Sequence, residues 1–509
     1  MKKISNIKVK VDGSSEDILN LACKKAGLKP SKIKYFKIVK KSLDARDKSN
    51  IFYSVSVELD DKPYTLPKKE YKKVSSKGRI LVVGAGPAGL FCALELLRYG
   101  LSVTLIERGK KVEERVKSVD DFIKNKVLDE NSNIQFGEGG AGAFSDGKLN
   151  TQIGGGLSKE VILDFVKFGA PKEIEYLNKP HIGSDNLKAV VKNIREEIIR
   201  LGGEVLFSTR LTDFCVKNGK ITSVTYNGQT EVFDDVVLAV GHSARDVYSL
   251  IESKNIFIEP KDFAVGFRIE HLTADINLAQ YGEKYAKLPC MPTADYKLTS
   301  SYNNRGVFTF CMCPGGYVMP SSSERETVVV NGMSNYARNA VNSNSAVIVQ
   351  AKTSDFYKGA LGGVEFQRDL EKKAFILGGG DYFAPVQLVK DFIKGETTLG
   401  FEKVIPSYEI GVKKSNLVGL LPKDIENALR YGIIDMGKRL KGFDDNGGVL
   451  TAVETRTSSP VRITRGENLA SVSVSNLYPC GEGCGYAGGI TSAGADGKRV
   501  ALKIVEKYL

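Results

Sequence analysis

The chain has 509 residues, of which 42% are hydrophobic, and a formal net charge of +13. This length predicts two or three domains with cores large enough to fold without disulfides or a structural metal. No apolar run approaches the roughly 20 residues that cross a bilayer, and no apolar segment follows the charged start. We therefore expect neither a membrane span nor a signal peptide. With no export signal, the eight cysteines indicate reduced thiols and a cytoplasmic protein.

The positive charge belongs to the N-terminal region. Residues 1–80 hold 21 Lys and Arg against 9 Asp and Glu, whereas the rest of the chain is close to neutral. Hydrophobic patterning predicts a small basic α+β domain over residues 1–75, with a helix at 14–26 and strands at 4–11, 32–39 and 51–59. A linker is expected over residues 63–78. Lysines on every predicted element favour a solvated surface, and docking of nucleic acid stays open as the alternative.

Residues 79–109 carry the strongest signal in the chain, RILVVGAGPAGLFCALELLRYGLSVTLIERG. A short apolar run rich in β-branched residues predicts a buried parallel strand at 80–83. A helix at 90–99, which Gly100 ends, and a second strand at 103–106 are expected to follow. Strand, glycine turn, helix and strand in this order predict a βαβ unit that binds a dinucleotide.

Each glycine of the G-x-G-x-x-G turn has a physical role. We expect Gly84 to make the tight turn, Gly86 to let a pyrophosphate approach the backbone, and Gly89 to let the helix pack closely on the strand. Glu107 ends the second strand, where its carboxylate can accept hydrogen bonds from ribose hydroxyls. The helix N-terminus is expected to face the phosphates. Neighbours expected in the same site are Pro87, Ala88 and Arg108.

Segments typical of ligand binding recur far along the chain. The loop at 136–151, FGEGGAGAFSDGKLNT, presents backbone amides at close range and follows a helix at 110–126 that carries Arg115. Residues 234–241 predict another buried strand, and residues 476–509 return to strand, glycine loop and helix. An NAD domain normally closes within one stretch. The scatter therefore favours FAD, held across a domain that the chain leaves and re-enters.

We predict an α/β protein with a Rossmann-like FAD/NAD(P)-binding domain on a parallel sheet, an inserted mixed α+β substrate domain and the small N-terminal α+β domain. The inserted part is expected to mix strands with loops rich in Ser, Asn and Gly. The predicted boundaries are 1–75 for the N-terminal domain, 76–259 and 451–509 for the two parts of the FAD-binding domain, and 260–450 for the substrate domain.

These motifs carry a family resemblance. VGAGPAGL with Glu107, VVLAVGH at 236–242 and LYPCGEGCGYAGGITSAGADG at 477–497 resemble the FAD-dependent oxidoreductases of the glutathione-reductase superfamily. The superfamily is meant in its broad sense, which includes fumarate-reductase-like flavoproteins. SLDARDK, the glycine-rich loop, FTFCMCPGGYV at 308–318 and ETRTSSPVRI at 454–463 more closely resemble the largely uncharacterised FAD-dependent dehydrogenases. This resemblance covers essentially the full length.

The resemblance implies a bound FAD and assigns parts to it. In the superfamily the first segment binds ADP, a segment corresponding to 205–211 passes beside the adenine, and the last directs a helix N-terminus at the flavin. One position departs from the pattern, because Glu482 follows Gly481 where the superfamily has aspartate. Further cofactor contacts are expected at Arg115, Gly140, Ser145, Asp146, Gly147, Leu211, Gly241, Gly481, Glu482, Gly489, Ile490 and Ala493.

The cysteines of CMCPGG are candidate catalytic residues. Alternation along a strand places Cys311 and Cys313 on one face, as a redox pair or as part of the ligand-lining wall. A C-x-C pair closes only a strained bridge, so a packed or ligand-lining pair is favoured. No metal site is expected, because the cysteines lack zinc spacing and only three histidines occur.

Histidines supply further candidates. His181 and His271 are candidate proton donors at a substrate pocket, together with Arg268. His242 follows a strand-ending glycine and is expected to be structural. Anion binding and structural ion pairing both stay open for Arg456 and Arg462.

The sequence thus predicts an FAD-dependent oxidoreductase that transfers a hydride between FAD and an unidentified small-molecule substrate. No second G-x-G-x-x-G precedes another helix, so NAD(P)H is expected to bind transiently in the substrate cavity as electron donor. Three alternatives stay open: a flavoenzyme that acts on nucleic acid through the basic domain, a thiol-flavin reductase, and a non-catalytic redox sensor that binds FAD. The oligomeric state is not predicted.

Overall fold

A computed structural model describes residues 1–65, 69–76, 78–149, 155–445 and 447–509. Pro67 and Lys68 of the predicted linker, and Asn150 and Thr151 of the predicted glycine-rich loop, lie outside the described residues. No helix within the described ranges is long and apolar enough to cross a bilayer.

The α-helices are α1 (Ser15–Ala26), α2 (Pro87–Tyr99), α3 (Val112–Asn125), α4 (Gly156–Lys167), α5 (Ser184–Arg200), α6 (Arg245–Ser253), α7 (Thr273–Ala286), α8 (Thr353–Phe356), α9 (Gly362–Leu377), α10 (Val389–Lys394), α11 (Lys423–Gly437) and α12 (Ile490–Val505). Short 3-10 helices lie at Pro30–Lys32, Ala141–Phe144 and Lys172–Glu175.

The strands are β1 (Lys2–Lys10), β2 (Tyr35–Asp44), β3 (Phe52–Asp60), β4 (Arg79–Val83), β5 (Ser102–Ile106), β6 (Glu204–Leu206), β7 (Leu211–Lys217), β8 (Lys220–Tyr226), β9 (Gln229–Glu231), β10 (Asp235–Leu238), β11 (Ile258–Pro260), β12 (Phe263–Leu272), β13 (Thr299–Tyr302), β14 (Arg305–Cys313), β15 (Tyr317–Pro320), β16 (Val330–Met333), β17 (Asn342–Ala351), β18 (Ala384–Leu388), β19 (Val412–Lys414), β20 (Val449–Glu454), β21 (Val461–Ile463) and β22 (Leu477–Pro479).

A parallel five-stranded sheet in the order β22-β10-β4-β5-β6 confirms the predicted α/β class. Val82 of the central strand pairs with Val237 on one side and Leu105 on the other, and all three side chains are buried. Helices α2 and α12 pack together against this sheet. Because β22 belongs to the last segment of the chain, the sheet is completed only after the inserted residues.

The inserted residues form a seven-stranded sheet in the order β13-β14-β17-β12-β20-β18-β19. Neighbouring strands are antiparallel except for β18 and β19, which are parallel. Helices α7, α9 and α11 cover it around the largest apolar core, which confirms the predicted mixed α+β insertion. Strand β20 runs across residue 450 and carries Glu454 at its end.

The N-terminal α+β unit is a sheet in the order β1-β3-β2 that packs on α1. It docks on the rest of the chain through backbone bonds: Lys41 N donates to Tyr176 O at 2.7 Å, and Asn178 N donates to Lys41 O at 2.9 Å. Ile51 is buried within the core of the inserted sheet. The basic unit therefore packs on residues 176–178 and on the insertion, in addition to the linker that leads into β4.

Candidate cofactor and active site

One cavity lies at the carboxyl ends of the parallel strands, the position where open α/β sheets bind ligands. It encloses about 1410 Å³ of space, including its open mouth. The turns after β4, β5, β10 and β22 line one part of it, and residues from β14, β16 and β20 line another. The cavity therefore lies between the parallel sheet and the inserted sheet.

The glycine turn after β4 is built as its sequence requires. Gly84 has φ +105°, and a Cβ there would lie 2.4 Å from the carbonyl oxygen of Ala239. A Cβ at Gly89 would lie 1.8 Å from Gly84 O, so helix and turn are in direct contact. At Gly86 the nearest described atom to an added Cβ is Gly140 Cα at 3.9 Å. Gly86 lines the cavity, so a side chain there would enter ligand space.

Helix N-termini give the cavity its electrostatic character. Helix α2 begins after Gly86 and α12 begins after Gly489, and no described side chain caps either of them. Gly86 and Pro87 at one end, and Gly489 and Ile490 at the other, line the cavity. Exposed N–H groups and the positive dipole end make both termini suited to an anionic or electron-rich ligand.

Glu107 lies in the cavity wall with most of its hydrogen-bonding capacity used. It accepts backbone N–H bonds from Ala85 at 2.8 Å and from Gly109 and Gly137 at 2.9 Å each. A carboxylate has about four acceptor positions, so one remains for a ligand hydroxyl. Arg108 beside it stacks over the ring of Phe136 at 4.4 Å and also lines the cavity.

Arg115 has a different role from the predicted cofactor contact. It is fully buried and outside the cavity lining, and within the described residues its guanidinium donates only to backbone carbonyls. These carbonyls belong to Asn133, Ile134, Gly137, Glu138 and Gly140. Arg115 therefore holds the glycine-rich loop in place and acts on the cavity through the loop.

Replacing Arg115 by Met should destabilise the fold by more than about 3 kcal/mol, because each buried carbonyl left without a donor costs about 1–3 kcal/mol. Urea unfolding measures the loss. Lys117→Met on the exposed face of α3 is the matched control, and equal stability of the two variants would contradict the scaffolding role.

The other predicted cofactor residues divide between the lining and its support. The lining contains Gly84, Gly86, Pro87, Ala88, Glu107, Arg108, Gly140, Ser145, Leu211, Gly241, Glu482, Gly489, Ile490 and Ala493. Gly89 and Gly481 lie behind it, since a Cβ at Gly481 would be 2.7 Å from Ala88 Cβ. Asp146 pairs with Arg338 at a short separation and, like Gly147, does not reach the cavity.

The two histidines proposed as proton donors lie away from the cavity. His181 stacks on Tyr336 and its Nε2 lies 3.0 Å from Tyr336 O. Nε2 of His271 lies 3.0 Å from Phe443 O, and burial lowers the pKa of His271 to about 4. Burial and the charge of Arg338 also lower the pKa of His181. Neither histidine is among the cavity-lining residues, so the structure does not bring the two predicted proton donors to the cavity.

Cys311 lines the cavity and Cys313 does not. A bulge between Phe310 and Cys313 interrupts the register, and Cys311 has φ +43°. Simple alternation along the strand therefore fails at this point. The Cys313 thiol, followed by the cations Lys148 and Arg268, lowers the pKa of Cys311 to about 5, whereas burial and Cys311 raise that of Cys313.

Arg268 lies behind the cavity-lining residues and does not itself line the cavity. The guanidinium donates to Cys311 O at 2.9 and 3.2 Å and to Asn331 Oδ1 at 3.2 Å, and its Nε lies 3.2 Å from Glu454 Oε2. Arg268 is fully buried. It therefore orients cavity-lining groups from three different strands.

Two carboxyl groups of the lining have raised pKa values. Burial raises the pKa of Glu454 to about 7, with Arg268 acting against the shift. Burial also raises the pKa of Glu482 to about 7, opposed by Lys261. Nε2 of His242 lies 3.8 Å from Glu482 Oε1, but burial lowers the His242 pKa to about 3, so the imidazole is neutral. Groups that titrate near neutral pH in a cavity suit proton transfer.

Glu454 lines the cavity and was not among the site residues predicted from the sequence. A carboxylate at the end of the apolar run VLTAVE is costly to bury without a partner. That contrast was the available signal. Arg456, left open between anion binding and ion pairing, pairs with buried Glu371 at 2.9 Å and also lines the cavity, so anion binding by Arg456 stays a prediction. Arg462 lies 3.9 Å from Glu259 at the surface.

Comparisons with known proteins agree with this layout. Residues 1–60 match a domain of unknown function, DUF8436, residues 78–262 match the pyridine nucleotide-disulphide oxidoreductase model, and residues 262–457 match the FAD-dependent protein, C-terminal domain-like model. A Clostridium beijerinckii protein described as uncharacterized is 45% identical and covers 99% of each chain.

Solved structures resemble the chain only distantly. CtdE in complex with FAD is 13% identical, with a TM-score of 0.32 and 84% of each chain covered. L-proline dehydrogenase from P. horikoshii is 14% identical, with a TM-score of 0.34, 85% of this chain and 95% of that chain covered. The full-length relative and the two adjoining domain models carry the assignment, and the chain belongs to the family of FAD-dependent oxidoreductases that includes the C. beijerinckii protein.

Proposed function

We propose that FAD binds along this cavity and that the protein transfers a hydride between FAD and a small-molecule substrate. In this proposal residues 76–259 and 451–509 act together as the FAD-binding domain, and residues 260–450 select the substrate. FAD supplies the hydride acceptor or donor. The chain supplies binding, orientation and proton exchange.

The observation that carries the proposal is the composition of a single cavity. Two uncapped helix N-termini and the β4 glycine turn line it together with Cys311 and Glu454 of the inserted sheet. A dinucleotide needs the helix N-termini and the glycine turn, and a reacting substrate needs polar groups such as those of the inserted sheet. Few other ligands would require both in one continuous space.

The ADP half would lie along β4, α2 and β5. The α2 N-terminus and the backbone of Gly86 would hold the pyrophosphate, and Glu107 would accept one ribose hydroxyl. At the other end, the α12 N-terminus would face the N1–C2=O edge of the flavin ring. Its positive end favours negative charge there, so it would raise the reduction potential of the bound cofactor.

The electron donor is proposed to be NADH or NADPH, bound transiently on the substrate side. The test is anaerobic mixing of the FAD-loaded protein with each nucleotide while the flavin absorbance is recorded. Bleaching of one equivalent of flavin by either nucleotide supports hydride transfer in this cavity. FAD-loaded protein that neither nucleotide reduces would remove NAD(P)H as the donor. If a screen of alcohols, amines and hydroxy acids also fails, hydride transfer itself is contradicted.

A thiol-flavin reductase is the second candidate, favoured by one observation. Cys311 lines the cavity, and the lowered pKa makes it a thiolate at neutral pH. Thiolates are the reactive form of cysteine. Cys480 also lines the cavity, but burial raises its pKa well above the usual range, so it stays a thiol.

This candidate predicts a long-wavelength thiolate–flavin absorbance band in the FAD-loaded protein with reduced cysteines. The band should disappear as the pH falls through about 5, where Cys311 gains its proton, and Cys311→Ser should abolish it. Cys290→Ser, at an exposed cysteine, is the matched control and should retain the band. Absence of the band in the parent protein at pH 7 excludes the thiol candidate.

A further inference from the structure

The wall of the cavity formed by the inserted sheet is organised by one buried guanidinium. Arg268 on β12 bonds to the carbonyl of Cys311 on β14 and to the amide oxygen of Asn331 on β16. Its Nε lies 3.2 Å from Oε2 of Glu454 on β20. Cys311, Asn331 and Glu454 all line the cavity, whereas Arg268 does not. The strands are thus tied into one polar surface that faces the ligand space.

Glu454 differs from the other members of this surface. Its side chain is 3% exposed, and among the described residues its Oε2 has no hydrogen-bond partner. A buried carboxyl oxygen without a partner costs free energy, so its retention calls for a ligand or a transferred proton. Oε2 itself is enclosed by protein, whereas Glu454 as a residue lines the cavity.

We propose that Glu454 is the acid–base residue of the reaction, and that the substrate is a compound whose C–OH or C–NH group is oxidised to C=O or C=N, or the reverse. This inference rests on the proposed function. In the oxidative direction the C–H bond breaks and both its electrons leave as hydride for FAD. The O–H or N–H bond breaks and its proton passes to the Glu454 carboxylate, while the C=O or C=N bond forms.

The charges around Glu454 suit a carboxyl group that both accepts and donates a proton. Burial raises the pKa of Glu454 to about 7, the charge of Cys311 on β14 raises it further, and Arg268 on β12 lowers it. General acid–base catalysis is most effective when the pKa is near the working pH. Glu482 has a similar pKa but follows Gly481, which packs on Ala88 at the start of α2. Glu482 therefore belongs to the cofactor side of the cavity.

An infrared reduced-minus-oxidised difference spectrum of the FAD-loaded protein tests the placement without any substrate. Reduction brings charge into the cavity, which raises the pKa of a neighbouring carboxyl, so Glu454 should take up a proton at pH 7. We expect a carboxyl C=O band that Glu454→Gln abolishes and Glu482→Gln retains. Carboxyl bands that are the same in Glu454→Gln as in the parent protein overturn the proposal. Should that variant fail to bind FAD, Glu454→Asp must shift the band.

Reoxidation of the reduced protein tests the proton transfer. Menadione gains a hydride and a proton, whereas ferricyanide gains electrons alone. Glu454→Gln should slow reoxidation by menadione about 10²- to 10⁴-fold and leave ferricyanide unaffected. Equal changes in the two reoxidation rates, or no change in either, would refute the acid–base role. If menadione does not oxidise the parent protein, the infrared comparison decides. Failure of all variants and of the parent protein to bind FAD would instead reject the proposed function.

Arg268 is a positioning residue in this scheme, because it acts through Glu454. Arg268→Lys keeps the positive charge, but its ammonium group lacks the planar guanidinium geometry that contacts three partners at once. The midpoint of the pH profile for menadione reoxidation should move upward, since less of the positive charge reaches Glu454. An unchanged midpoint with reduced thermal stability would mark Arg268 as merely structural.

Discussion

Replacing Gly86 by Val should yield a folded protein that binds FAD much more weakly than the parent protein. The added Cβ meets no described atom closer than 3.9 Å, so the protein itself accommodates the start of the side chain. The branched side chain would occupy the space that we assign to the pyrophosphate. An overpacking cost of about 1–3 kcal/mol in the FAD complex corresponds to a dissociation constant that is roughly 5- to 150-fold larger. Calorimetric titration of the apoprotein with FAD measures the change.

Gly306→Val is the matched control for this prediction. Gly306 lies in β14 outside the cavity lining, and no described atom lies within 4 Å of an added Cβ. The control should bind FAD like the parent protein. Gly89→Ala gives the opposite pattern, because its Cβ would lie 1.8 Å from Gly84 O and the fold itself must move. Full FAD retention by Gly86→Val would contradict the placement of the pyrophosphate.

The second large effect is expected at Glu371, which lies between two buried arginines. It accepts from Arg245 at 2.7 and 2.9 Å and from Arg456 at 2.9 and 3.1 Å. Glu371→Gln would leave buried positive charge uncompensated, at a cost of about 3–5 kcal/mol. Urea unfolding at neutral pH measures the loss. FAD affinity should fall as well, because Arg456 lines the cavity.

The contacts of Glu371 with Arg245 and Arg456 also predict how the free energy of unfolding depends on pH. The guanidinium groups of Arg245 and Arg456 hold the pKa of Glu371 well below its usual range, against the effect of burial. A depressed carboxyl pKa stabilises the fold above the unfolded-state pKa and loses that contribution as the pH falls. The parent protein should therefore lose more stability in acid than Glu371→Gln. Glu365→Gln on the same helix, at a side chain 60% exposed, should behave like the parent.

The FAD-binding half of the fold was predictable because its signals are local. The turn at Gly84, the closeness of Gly89 to the backbone and the buried strand before them follow from short-range sterics and hydrophobic pattern. The later strand β22 was expected to return to the parallel sheet, and it does. Element ends moved by a few residues: the strand predicted over 234–241 ends at Leu238, because the chain turns there along the cavity.

The facing wall was less predictable because its residues meet only through long-range pairing. Arg268, Cys311 and Glu454 come from strands far apart in sequence, and the order of the seven-stranded sheet brings them together. Strand alternation did not foresee the bulge that turns Cys311 into the cavity. Arg115 was expected to touch the cofactor, because the pattern of the glycine loop does not reveal that its carbonyls need a buried donor.

The most direct test of the account is the flavin content of the purified protein after incubation with FAD and removal of unbound cofactor. We predict a yellow protein with one FAD per chain, and a lower flavin content in Gly86→Val prepared in parallel. A parent protein that stays colourless while its circular dichroism reports a folded chain would contradict FAD binding in this cavity. Equal flavin in both proteins would contradict the site assigned to it.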